Sequence, residues 1–201
     1  APLMWRLEPH YHVVGVDLSG HGASSLPPDD TFTIDRLADD ARAALDAVDA
    51  SAAHLFGFSM GASVALRVAH TSPDRVRRLA LLGASAAWTA PLARAMQARL
   101  DLDTLRRRDP ERTAPFEAQH QHPDRLFAAL RAFVDTLPDK TDEMHRTLAA
   151  VDHSTLVVAL DEDPLFSLDD MLDVHARLAN AHLAVLPGTR HRLAEAPLAA
   201  L

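Results

Sequence analysis

Ser59 stands between two glycines in Gly57-Phe58-Ser59-Met60-Gly61, where an apolar run gives way to a helical pattern. A sharp strand-to-helix turn holds its central residue in strained backbone geometry. Flanking side chains would collide with the neighbouring strand and helix, so both Gly57 and Gly61 are expected to be needed for their lack of one. Such a turn, a nucleophile elbow, lifts the Ser59 hydroxyl clear of a sheet. It also aims the first amide of the helix, Met60 N–H, at an oxygen bonded beside the serine. A serine hydroxyl is a poor nucleophile at neutral pH, so this chemistry needs a base that takes its proton during attack and returns it to a leaving group. An acid must hold that base in the right tautomer.

The residues on either side fit the turn. Ala53-His54-Leu55-Phe56 reads as a short buried strand, and Ala62, Val64, Ala65, Leu66, Val68 and Ala69 make a helix apolar on most sides, as beneath a sheet. Tyr11 to Val16 is expected as an earlier strand ending at Asp17, followed by a helix whose face is Ile34, Leu37, Ala41, Leu45 and Val48 and which Thr33 can cap. Val76 to Leu82, Thr155 to Leu160 and Leu183 to Leu186 read as further strands, with a helix around Met171 to Leu178. Strands separated by helices predict an α/β fold with a mostly parallel sheet of about five strands, covered on both faces.

Residues 86–150 break that rhythm with amphipathic patterns such as Leu126, Leu130, Phe133 and Leu137 and no strand. They are expected to form an all-helical cap or lid over a core of residues 1–85 and 151–201, walling a pocket and excluding water. The plainer alternative is a helical excursion that only covers the sheet. Trp88 at its entrance either lines that pocket or packs it. His120 and His122 form an H-x-H pair in this stretch, but zinc would require a carboxylate and a third donor to converge there, and no metal is expected.

Composition bounds the rest. A chain of 201 residues with 48% hydrophobic content and a formal charge of −8 can bury one sizeable core. Its charges are dispersed rather than blocked, which argues against a nucleic-acid partner. The lack of cysteine excludes disulfides, thiol catalysis and cysteine zinc sites. No apolar run reaches membrane-spanning length and no basic-then-apolar leader opens the chain, so a cytoplasmic location without a membrane partner is expected.

Four landmarks, in order, resemble the α/β-hydrolase fold superfamily, in its lid-bearing esterase, lactonase and haloperoxidase-like kind. Val16-Asp17-Leu18-Ser19-Gly20-His21-Gly22-Ala23-Ser24 is similar to the family's strand-end D-x-x-G-x-G-x-S loop, in which Asp17 is expected to accept backbone amides and His21 to pack the backbone. Gly57 to Gly61 is the elbow. Leu160-Asp161-Glu162-Asp163 resembles the strand-end acid motif, and Gly188-Thr189-Arg190-His191, with Glu195 and Pro197 behind it, resembles the histidine loop.

The resemblance implies Ser59 as nucleophile, His191 as base, Asp163 as the orienting acid and Met60 as an oxyanion-hole amide. Asp161, facing the same side two residues earlier, is the alternative acid. It also implies cleavage of a small carboxylic ester, thioester or lactone through an acyl-enzyme, with no cofactor and no metal. Haloperoxidase, acyl-transfer and carbon–carbon hydrolysis reuse the same residues. In the family, a strand ending in a His-Gly loop supplies the second oxyanion amide and lies between the strands matched here by Tyr11 to Val16 and Ala53 to Phe56. Residues 1–10 resemble the helix after that loop, so the expectation is a truncated α/β-hydrolase fold. Either those two strands pair directly, or the sheet carries an unfilled slot. A non-catalytic remnant that binds a small apolar ligand or a protein partner is the contrasting expectation.

Overall fold

Four apolar runs pair as parallel strands in the computed structural model, which describes residues 2–193 and 196. They are β1 (Ala53–Phe58), β2 (Val76–Leu82), β3 (Thr155–Leu160) and β4 (Ala181–Leu186), lying side by side in that order. Helices α1 (Pro2–Leu7) and α2 (Ile34–Ala47) precede the sheet, and α3 (Met60–Thr71) links β1 to β2. Between β2 and β3 run α4 (Ala90–Arg99), α5 (Leu102–Arg108), α6 (Pro110–Gln119), α7 (Pro123–Thr136) and α8 (Thr141–Ala150), and α9 (Leu168–Arg177) joins β3 to β4. Parallel neighbours need such crossovers, which explains the alternation of strand and helix along the chain.

Local signals start the helices where the sequence places them. Thr33 Oγ1 accepts the Arg36 amide at 3.1 Å and caps α2. Ser167 and Asp170 form a reciprocal capping box at α9, Ser167 Oγ accepting the Asp170 amide at 3.1 Å and Asp170 Oδ2 accepting the Ser167 amide at 2.9 Å.

Two apolar clusters cover the sheet. Leu79, Leu81 and Val157 pack with Leu66 of α3 and with Met144 and Leu148 of α8. Leu82, Val158 and Leu160 join Leu126 and Phe133 of α7, together with Phe166 and Met171. The helical stretch after β2 is therefore divided in its packing: α8 serves the same cluster as α3, while α4 and α7 contribute to the other.

The first expected strand is a correction. Residues 12–18 belong to no strand, and the sheet has four strands rather than about five among the described residues. A strand exists only where its N–H and C=O groups meet a ladder. Tyr11 to Val16 and β1 do not pair directly, although the Tyr11 ring meets that of His54 edge-on at 5.9 Å. Tyr11, Val14 and Val16 stay 54%, 44% and 41% exposed, and Phe56 on β1 is 41% exposed.

Strand register brings three exits of the chain to one end of the sheet. Phe58 stands opposite Leu82, and Leu160 opposite Leu186, so β1, β3 and β4 all deliver their following loops there. Leu148→Ala tests the place of α8. Leu148 is fully buried, and the truncation should cost about 2–5 kcal/mol in urea unfolding, far more than a helix lying loosely over the sheet would register.

Candidate active site

Ser59 sits between β1 and α3 with φ 54° and ψ −118°, a backbone conformation that costs a non-glycine residue about 1–3 kcal/mol. Both neighbours hold it there. The Ser59 amide donates to the Leu82 carbonyl of β2 at 3.0 Å, and the Ser59 carbonyl accepts the Ala62 amide at 2.9 Å. Gly57 is sterically required: a Cβ there would lie 2.6 Å from the Ala62 Cα and closer still to the Gly61 carbonyl. Gly61 corrects the expectation of two equivalent glycines, since a Cβ at Gly61 would meet nothing within 4 Å. The tight contact runs from the Cα of Gly57 to the backbone of Gly61, so only the first glycine is confined. Met60 is the first residue of α3, and its N–H is one of the helix-terminal donors that no intrahelical carbonyl satisfies.

Asp163 lies in the loop after β3 with no exposed side-chain surface. Its Oδ1 accepts the Leu165 and Phe166 amides at 2.7 and 3.1 Å, and its Oδ2 is 2.5 Å from His191 Nδ1. His191, in the loop after β4, places Nε2 2.9 Å from Ser59 Oγ. A carboxylate only accepts, so Nδ1 carries the ring proton and Nε2 accepts the Ser59 O–H. The imidazole lies between Phe58, with centroids 4.7 Å apart and tilted, and Phe166, edge-on at 5.3 Å. Trp88 meets Phe166 edge-on at 5.7 Å and is 6% exposed, so it packs the site from behind. Sequence reading singled out neither phenylalanine. The available signal was their position, one residue before the serine and three after the aspartate.

Asp161 has a different task from Asp163. Its Oδ1 accepts the Thr189 amide at 3.1 Å, while the Glu162 amide donates to the Thr189 carbonyl at 3.1 Å, so two bonds fasten the acid loop to the histidine loop. Glu195 and Pro197 lie outside the described residues.

The loop after residue 16 is pinned as its polar residues suggest. Asp17 accepts the Ala23 amide at 3.0 Å, and Asp40 of α2, unremarked in the sequence, accepts the Ser19 amide and hydroxyl at 2.8 and 2.9 Å. His21 Nδ1–H donates to the Ser19 carbonyl at 3.1 Å, and its ring meets His120 edge-on at 6.0 Å. Burial holds the His21 imidazole below the ordinary histidine pKa, and the neighbouring His120 adds to that. His120 is itself bonded through Nδ1 to the Phe116 carbonyl at 2.7 Å and stacked on the Phe116 ring. Among the described residues no three His, Asp or Glu side chains converge as a metal site.

Comparison with known proteins matches residues 3–121 to the family described as alpha/beta hydrolase fold. The 2-hydroxymuconate semialdehyde hydrolase of Pseudomonas sp. (strain CF600) is 29% identical over 210 residues, which cover 94% of this chain and 73% of that protein. Further curated relatives match over stretches that cover between 20% and 39% of their own lengths. A solved hydrolase from Pseudomonas aeruginosa PA01 superposes with a TM-score of 0.73 at 28% identity, covering 98% of this chain and 81% of that one. The enol-lactonase from Burkholderia xenovorans LB400 superposes with a TM-score of 0.74 at 22% identity, covering 95% and 78%, a likeness of fold.

Two measurements probe the geometry of the site. Gly57→Ala should destabilise the protein by about 1–3 kcal/mol or more through a backbone clash, whereas Gly61→Ala, in open helical space, should stabilise it by about 0.5 kcal/mol; thermal melts of the pair should shift in opposite directions. For His21, the folded state binds a proton less readily than the unfolded chain. Stability is therefore complete above about pH 6.5 and falls as pH drops below it. Urea unfolding at pH 8 and pH 5 should show that loss, and His21→Asn should reduce it.

Proposed function

The chain belongs to the α/β hydrolase fold family and is a hydrolase of that type, and on that premise we propose that Ser59, His191 and Asp163 form its catalytic triad and cleave a carboxylic ester, thioester or lactone. One observation carries the proposal: the His191 ring is bonded at both nitrogens, by Asp163 at 2.5 Å and by Ser59 at 2.9 Å, across 132 residues of sequence. A largely shielded base aligned between a carboxylate and a hydroxyl is the arrangement that activates a serine.

The steps follow from that alignment. Ser59 Oγ attacks the acyl carbon as its proton passes to His191 Nε2. The imidazolium is stabilised by Asp163, whose other oxygen stays fixed by two backbone amides. Negative charge builds on the former carbonyl oxygen, beside the Met60 amide at the positive end of α3. His191 then protonates the leaving group, and the acyl group remains as an ester on Ser59. Water, deprotonated by the same Nε2, attacks that ester and releases the acid and the free serine.

Asp161 and the aromatic pair act through position. Asp161 keeps the histidine loop against the acid loop, and Phe58 and Phe166 limit the rotation of the imidazole. The residues of α4 to α7 form a cap above this end of the sheet and shape the substrate pocket.

Reaction with a fluorophosphonate probe, followed by peptide mapping, tests the proposal. Labelling should fall on Ser59 and vanish in Ser59→Ala and His191→Ala. Each of those variants should also lower kcat on 4-nitrophenyl acetate by about 10⁴-fold or more. Labelling at another residue, or activity that survives both substitutions, would refute it.

A further inference from the structure

A cavity of about 460 Å³ opens beside His191, between the helices α4 to α7 and the loops after β3 and β4. Its apolar lining includes Leu102, Phe116, Phe127 and Leu165. Among the described residues the charged lining is one-sided: Arg99, Arg112 and Arg190 stand against the carboxylate of Asp109, and Arg192, which has an interaction of its own, lies beside them. That carboxylate is already engaged as the N-cap of α6, where Oδ1 accepts the Arg112 backbone amide. The whole chain, by contrast, carries 28 acidic and 20 basic residues. The excess of cations around this one cavity therefore runs against the acidic balance of the molecule.

The arginines also differ from their neighbour. Arg106 of α5 is committed to Asp103, Glu117 and Asp124. Arg99 gives one N–H to the Pro164 carbonyl at 3.3 Å and has others to spare. Arg112 and Arg190 form no ion pair among the described residues. Arg190 and Arg192 bracket His191 in sequence, while Arg99 and Arg112 approach from the helices opposite, so the positive groups come from both walls of the cavity.

From this we infer that the substrate carries a carboxylate: its apolar body fills the cavity beside His191 and its anionic end is held by the arginine rim. The inference rests on the hydrolase reading and narrows it from ester-like compounds to those with an anionic group a few bonds from the scissile carbonyl. Guanidinium groups suit this task because their planar fork matches both carboxylate oxygens. The pocket's low-dielectric walls concentrate their field on an incoming anion.

Binding tests the inference separately from catalysis. Calorimetry with octanoate and with the neutral octanamide should show octanoate binding at least about tenfold more tightly, with the preference weakening at 0.5 M NaCl as the charges are screened. Arg112→Gln, at an exposed position, should shrink the preference, and Arg112→Gln with Arg190→Gln should bring it close to one. Arg177→Gln, which removes a distant positive charge on α9, should leave it unchanged. In turnover, mono-4-nitrophenyl adipate should exceed 4-nitrophenyl hexanoate in kcat/KM by a similar factor. Equal binding of octanoate and octanamide, or a preference that survives the double substitution, would overturn the inference even if Ser59 labels normally. Failure of Ser59 to label, with the octanoate preference intact, would remove the hydrolase reading and leave the anion site supported.

Discussion

The Asp163 carboxylate is the constraint to which the rest of the site answers. A charged group with no exposed surface costs several kcal/mol unless its lone pairs are engaged. Asp163 meets that demand with two amides of its own loop on one oxygen and the His191 ring on the other. The first pair fixes the shape of the chain from Asp163 to Phe166, which in turn sets Phe166 against the imidazole. The third bond decides the tautomer and leaves Nε2 facing Ser59. Removing the ring would leave a buried carboxylate short of a donor, so the acid and the histidine loop are held together by mutual need as well as by Asp161 and Thr189.

Strain at Ser59 is balanced in the same way. A serine at φ 54° persists only when its surroundings over-determine it, and here a ladder bond to β2 and a bond into α3 hold both sides of the turn. Phe58, the residue before the turn, also packs on the imidazole. The elbow therefore contributes a hydroxyl, a helix-terminal amide and part of the wall that holds the imidazole. The hydroxyl and the amide are local consequences of five consecutive residues, which is why they were legible from the sequence alone, whereas the packing of Phe58 on a ring remote in sequence was not.

Elements whose partners are adjacent in the fold were equally legible. Four of the expected strands and the helix capped by Thr33 appear where apolar periodicity and capping residues place them. Ser59, Asp163 and His191 stand within hydrogen-bond reach as their motifs suggest. Properties set by a neighbour remote in sequence were not legible. Tyr11 to Val16 has the composition of a strand, but pairing depends on what lies beside it, and the side chains remain largely exposed. Helix α8 has the same amphipathic pattern as the helices before it, yet Met144 and Leu148 face the α3 cluster, a choice that its own periodicity does not contain. The difference between Gly57 and Gly61 depends on which backbone approaches which, and a symmetric motif conceals it.

Register converts this scaffold into a site. Ser59 follows β1, Asp163 follows β3 and His191 follows β4, so their separation depends on how far each strand extends past its neighbour. A shift of one residue in any pairing would move a strand end by roughly 3.3 Å, more than the 2.9 Å now separating His191 from Ser59. It would also turn buried side chains to the opposite face. In β2 that would exchange Leu79 and Leu81 with their neighbours and expose the residues packed on α3 and α8. The apolar clusters on the two faces thus set the geometry of Ser59, Asp163 and His191 from a distance: the hydrophobic penalty for a slipped strand keeps these three residues within hydrogen-bond reach.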